Sequence, residues 1–189
     1  MFVLVESGSV TKFLANNRGI QIGDLKYPAA IFTLWSESER NAIGVYEVEI
    51  DKTNFKDIEY YTNTDMTYTY DSSANKVKGT YGTATAKELA DKTVDGVVHK
   101  GLKTIKKELI DSQCASILAP SDWRVVKEQE TGDDMDSGWK TWRGNVRTKC
   151  NSMQTQINNA ANVDALAALY TYNTDNPPTR PLGDFPVKE

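Results

Sequence analysis

The chain holds one histidine, His99, and two cysteines, Cys114 and Cys150. Catalysis needs a positioned base or an activated nucleophile. A single histidine cannot build a histidine-based metal cluster, and no Ser-His-Asp order surrounds it, so His99 reads as a surface or packing residue. Neither cysteine lies in a CxxC pattern. Both fall on helical runs with no histidine nearby in sequence, and they read as buried thiols. Two such cysteines make no disulfide framework, so a reducing compartment is the expectation. No GxxxxGK[ST] loop occurs, and the glycines of "GTYG" lack GxGxxG spacing. Asp133, Asp134 and Asp136 in "DDMDSG" begin like a calcium loop. The third ligand position is Gly138, however, and the bidentate glutamate is missing, so the stretch reads as a solvated acidic loop. No catalytic residue, metal or cofactor is therefore expected.

Recognition chemistry remains. Trp123, Trp139 and Trp142 are large amphipathic anchors, and Lys140, Arg143 and Arg147 line one face of a helical run. Core packing is the first reading of the tryptophans, and an exposed docking patch is the second. The basic face can meet phosphate. In a chain of net charge −4 and pI about 5.2 it more often pairs with acids, and Asp133, Asp134 and Asp136 are close in sequence. The same balance gives no global attraction to nucleic acid or anionic membrane. The opening "MFVLVESGSV" has no basic leader region, and no apolar run approaches the ~18 residues of a spanning helix. Synthesis and retention in the cytosol, or assembly there into something larger, is the expected setting.

These residues need elements to position them. "MFVLVES" and "AIFTLW" read as strands, and "VYEVEI" alternates with period two. Ser36 and Glu39 form a capping box for a short helix that Gly44 stops. "DIEYYT", "MTYTYD" and "KVKGTYG" read as further strands, with "SSAN" as the turn between the last two. The whole suggests a small antiparallel meander. From Ala86 to Leu118, Val94, Val98, Leu102, Ile105 and Leu109 recur at steps of three and four, predicting one long helix. Gly96 and Gly101 weaken it by about 1 kcal/mol each. A second run places Trp139, Trp142, Val146, Cys150, Met153 and Ile157 on a heptad-like seam capped by Ser137. "NVDALAALY" follows as a short helix capped by Asn162. The predicted fold class is α+β: a β-rich domain over residues 1–84, an α-helical domain over 85–172, and an extended Pro-rich tail over 173–189.

Between the two long runs lies "LAPSDWRVVKEQETG". Pro120 disfavours the α conformation at Ala119, so the long helix should stop or kink there. Ser121 is placed to cap a new segment that Gly132 ends. The chain then reverses, so the two long runs can pack together, with Trp123, Trp139 and Trp142 filling the elbow. In the tail, four prolines pre-set an extended backbone. Leu182 and Phe185, three apart, can face one groove. The tail reads as an inter-subunit arm anchored by these two residues, with packing onto its own helical half as the alternative.

Taken in order, "YPAAIFTLWSESERNAIGVYEV", "KVKGTYG" and "ILAPSDWRVVKEQETG…GWKTWRGNVR" resemble phage tail accessory proteins of the tail-fibre assembly chaperone type. The positions that carry the resemblance are Glu39 to Tyr46, Leu118 to Trp123, Lys127, Glu130, Thr131, Trp142, Arg143 and Arg147. The resemblance implies no reaction. It implies a protein of the virion tail that binds other tail proteins, fibre or baseplate subunits, and that can be homo-oligomeric. A cytosolic assembly chaperone that leaves the particle is the alternative. Trp123, Trp139, Trp142, Arg143, Arg147, Leu182 and Phe185 are the candidate partner-binding residues.

Overall fold

The computed structural model describes residues 1–188, which form an α+β chain of two compact units, Met1–Thr85 and Ala86 onward.

The first unit opens with β1 (Phe2–Glu6) and β2 (Ser9–Leu14), followed by a small hairpin of β3 (Ile20–Ile22) and β4 (Leu25–Tyr27). Two short helices, α1 (Ile31–Leu34) and α2 (Glu37–Ala42), lead to β5 (Val45–Asp51). Then come β6 (Tyr61–Thr62), β7 (Met66–Asp71) and β8 (Lys76–Tyr81), with β9 (Thr85–Ala86) at the boundary of the unit. Five strands form one sheet in the order β2-β1-β5-β8-β7.

Alternation along the strands feeds two cores. Phe2, Leu4 and Val45 face Ile31 and Phe32 of α1. Val3, Tyr46, Val48 and Val77 form the opposite core, with Tyr68 and Tyr70 packed against it. The outer strands meet where Phe13 stands edge-on to Tyr68 at 4.8 Å, so the sheet coils round this second core.

Three expectations are corrected here. "AIFTLW" forms α1 rather than a strand: the amides of Ile31 and Phe32 donate to the carbonyls of Pro28 and Ala29. An apolar run of this length shows no period that separates helix from strand. The sheet is also not a pure meander, because β5 and β8 pair in parallel while the other pairs are antiparallel. "DIEYYT" contributes only the two residues of β6 to a strand. The capping box of Ser36 and Glu39 forms as expected, and Gly44 follows α2 at φ 79°.

The turn between β7 and β8 is tied down by two phenols. Tyr46 and Tyr70 both donate to the side-chain oxygen of Asn75, at 2.8 and 2.9 Å. Burial pushes the Tyr46 phenol up from 10.0 to about 12, and its contact with Tyr70 adds to the rise. The folded state therefore keeps this proton where the unfolded chain has lost it. The contribution is complete below pH 10.0 and is lost as pH rises through about 12. Urea denaturation across that window should show falling stability, and Tyr46→Phe should flatten the fall; an unchanged slope in the variant contradicts the assignment.

The second unit begins with a hairpin of β10 (Lys92–Val94) and β11 (Val97–His99). Helices α3 (Leu102–Leu118), α4 (Asp122–Thr131), α5 (Ser137–Asn159) and α6 (Val163–Ala168) follow. The long helix expected from Ala86 is therefore half its predicted length. Asp95 and Gly96 both take positive φ, 51° and 78°, which is the two-residue hairpin turn that Asp-Gly favours. The valines counted into a helical face lie in strands instead. Helix α3 starts where the amides of Gly101, Leu102 and Lys103 find Asp91, the Glu88 carbonyl and the Leu89 carbonyl. Gly101 is required at this crossing, because a Cβ there would meet the Ala90 backbone at 2.3 Å.

The expected face of α3 is rotated too. Leu102, Lys106, Ile110, Cys114 and Leu118 are buried, whereas Ile105 and Leu109 are exposed. Helix α5 runs antiparallel to α3, as Lys103 to the Asn158 carbonyl and Arg143 to the Leu118 carbonyl show at opposite ends. Its predicted seam is buried at Val146, Cys150, Met153 and Ile157. Its cap is Asp136, accepting from Gly138 and Trp139, and not Ser137. Asn162 caps α6 as expected.

The tail is not an extended arm. Asn173 donates through its amide to the Thr179 carbonyl at 2.8 Å and closes a loop. Leu182 is fully buried in its own unit, and its amide donates to the Leu169 carbonyl. Lys149 donates to the Leu182 carbonyl at 2.8 Å, and the Trp142 indole to the Pro186 carbonyl at 3.0 Å. The segment thus runs along α5 toward its N-terminus. Of the two anchors expected to seek another subunit, Leu182 is buried against its own unit and Phe185 is half-buried.

Candidate interaction site at the helical elbow

The break in "LAPSDW" takes the form of a 3₁₀ turn, Ala119–Ser121, with Pro120 inside it. Ending α3 there leaves carbonyls without helical partners. Arg143, reaching across from α5, supplies the donors. Its guanidinium donates to the Leu118 carbonyl at 2.9 Å, to the Ser121 hydroxyl, and to Asp122 at 2.6 Å. Ser121 in turn donates to the Leu118 carbonyl. A cation at the C-terminal end of α3 also opposes the negative pole of that helix. Arg143 is only 4% exposed. It is therefore a staple inside the elbow, not part of the solvent-facing basic stripe expected of it. Ser121 is drawn into the same network, so its side chain makes no cap for α4.

The tryptophans do not fill the elbow. Trp123 is 55% exposed and α4 buries no residue at all, while Trp139 and Trp142 are half-buried. The small volume needed at the elbow is taken up by the fork of Arg143 and by Ser121. Trp139 and Trp142 meet edge to face at 5.5 Å. The Arg124 guanidinium lies 4.5 Å from the Trp123 ring and 4.4 Å from the Trp139 ring, and Lys188 sits 5.3 Å from the latter. The result is a ladder of aromatic and cationic groups, flanked by the exposed side chains of Val125 and Val126.

Of the other candidates, Arg147 is exposed on α5, Phe185 is half-buried, and Leu182 is buried within the unit. Lys140 pairs with Glu128 and Asp134 as an acidic-loop partnership would suggest. Asp133 pairs with Lys127. Cys114 and Cys150 are free and buried on the facing helices, as expected. Burial pushes the Cys150 thiol up from 9.0 to about 11, with Cys114 and Asp111 beside it adding to the rise. Arg124 and Lys188 escaped the sequence reading. Adjacency of Trp123 and Arg124 was the available signal, but the second indole arrives from another helix.

Exposure decides what Trp123→Ala should do. Loss of one cation–π stack at a solvated site costs under about 1 kcal/mol, against about 3–5 kcal/mol for a core tryptophan. Urea denaturation should therefore detect little change. A loss of several kcal/mol would place the ring in the core after all.

Fold and site define the chain as an α+β protein whose helical unit presents an aromatic and cationic surface around a stapled elbow. The chain matches no protein-family model, no curated protein and no solved structure. Among the described residues, no helix is long and apolar enough to cross a membrane, and no group of His, Cys, Asp or Glu side chains is arranged to hold a metal ion.

Proposed function

We propose that this chain is a non-enzymatic phage tail protein, a structural adaptor of the baseplate or tail-fibre attachment region that binds other tail proteins. The observation that supports the reading is the convergence of its motif residues. "LAPSDW" and "WR" lie about twenty residues apart, yet Leu118, Ser121 and Asp122 of the first close on Arg143 of the second. The residue types that carry the resemblance thus share one physical task. They set the angle at which α4 leaves α3, and α4 presents Trp123 and Val126 to solvent. Surfaces of this composition, rich in Trp and Arg, are the ones that concentrate binding energy. On this reading the β-rich unit serves one partner and the helical unit another.

Mass spectrometry of purified particles from a phage carrying the gene tests the reading. Peptides of this chain at stoichiometric abundance are expected. Their absence from particles, with the protein abundant in the infected cell, favours an assembly chaperone that leaves. A turnover-competent hydrolytic activity of the pure protein would overturn both.

A further inference from the structure

The elbow carries a positive charge, the Arg124 guanidinium, that no acid among the described residues neutralises. Of the acids around it, Asp122 pairs with Arg143, Glu128 and Asp134 with Lys140, and Asp133 with Lys127, while Glu130 is exposed and does not pair with Arg124. Among the described residues, no carboxylate and no hydrogen-bond acceptor pairs with the Arg124 guanidinium. The indoles of Trp123 and Trp139 lie 4.5 and 4.4 Å from it. A guanidinium held against two indoles is restrained while its N–H donors stay available in its own plane. That arrangement is pre-organised for a planar acceptor, and a carboxylate matches its fork. Lys188 lies over the same Trp139 ring, 5.3 Å from its centroid. Apolar surface adjoins the cation on Trp123 and Val126, which are 55% and 53% exposed. A recess of about 340 Å³ opens beside it, lined by Ser137, Thr141, Trp142, Asn145, Pro186 and Lys188 among others.

We infer that Trp123, Arg124 and Trp139 form a docking site for a short acidic segment of a partner protein, one of its carboxylates held by Arg124 and a neighbouring apolar side chain packed on Trp123 and Val126. The inference names the partner chemistry of the proposed binding role. It rests on that role and not on the phage setting. Charge argues for a short segment over a long polyanion. The chain as a whole carries −4, so an extended nucleic acid or an anionic bilayer would be repelled beyond the immediate contact. A single acid flanked by apolar residues meets the local charge and escapes the distant field. Screening by salt should weaken the contact accordingly.

The test uses the full chain and three synthetic pentapeptides: acetyl-Leu-Asp-Leu-Glu-Leu-amide, the same peptide with Asn and Gln for the two acids, and the same peptide with Lys for both. Binding is read from the indole N–H signals of the tryptophans and from their fluorescence. The acidic peptide should shift the Trp123 and Trp139 signals and bind at least about tenfold more tightly than the amide peptide, with the lysine peptide silent. Arg124→Gln should remove that advantage at an unchanged melting temperature. Arg124→Lys, which keeps the charge without the fork, should fall between. If Arg124→Gln alters the fold, Val126→Ser gives the independent reading, weakening the acidic peptide while leaving its preference for acid intact. Equal affinity for the acidic and amide peptides, or full affinity in Arg124→Gln, overturns the inference, as does saturation of the same indole signals by a single-stranded oligonucleotide. Absence of the chain from virions would sink the tail reading and leave this result unaffected.

Discussion

Arg143→Ala should destabilise the helical unit by about 3–5 kcal/mol, because it strips the donors from a buried polar cluster. The ion pair itself is a small part of this. Asp122 is 60% exposed in its side chain, so water replaces much of what that carboxylate loses. The larger costs fall on the buried partners. The Leu118 carbonyl and the Ser121 hydroxyl lose their charged donor, at roughly 1–3 kcal/mol for each group left short. The space vacated by the side chain adds a cavity cost. Arg143→Lys should fall between, since an ammonium cannot reach three acceptors as a planar fork does. Urea denaturation monitored by tryptophan fluorescence measures both, and a loss below about 1 kcal/mol for Arg143→Ala would contradict the staple. Binding at the α4 surface should weaken together with stability, because the angle of α4 depends on the same contacts.

Leu182→Ala should cost about 2–5 kcal/mol in the isolated protein. The side chain is 0% exposed, so removing its methyl groups leaves a void that a tail tied at several points cannot collapse to fill. The ties are the Leu182 amide to the Leu169 carbonyl, Lys149 to the Leu182 carbonyl, and Trp142 to the Pro186 carbonyl. Deleting residues 173–189 should lower the melting temperature of the monomer as well. An arm that reached to another subunit would leave the monomer's melting temperature unchanged and affect only assembly. The two variants therefore separate the packed tail from the free one in a single thermal scan.

Much of the local structure was legible because local rules govern it. Ser36 and Glu39 close a capping box, Asn162 caps α6, and "VYEVEI" forms β5, although Val45 and Val48 face opposite cores and Ile50 is exposed. The α5 seam was legible too, since Val146, Cys150, Met153 and Ile157 repeat over enough turns for period to be decisive. Failures arose where a short pattern has two solutions. Val94 and Val98 fit a helical spacing, but Asp95-Gly96 between them turns the chain, and a turn outranks a weak period. The outward rotation of α3 follows from the same miscount, because the face was fitted through valines that lie in the hairpin.

The sequence by itself determined the α+β class, the break at Pro120, the packing of two long helical runs with the apolar seam of α5, and the presence of tryptophan and arginine around that break. Only the tertiary structure decided which of those residues points where. Arg143 turns inward because the end of α3 presents unmet carbonyls that a guanidinium satisfies better than an indole does. Trp123 turns outward because the elbow is then already filled, and Arg124 gains its second aromatic face only when α5 brings Trp139 alongside. Leu182 is buried at home because its own helices offer an apolar groove at no cost in association entropy, whereas a neighbouring subunit would require one. Spacing along a chain records what a residue is able to contact, and competition among the available surfaces settles which contact is made.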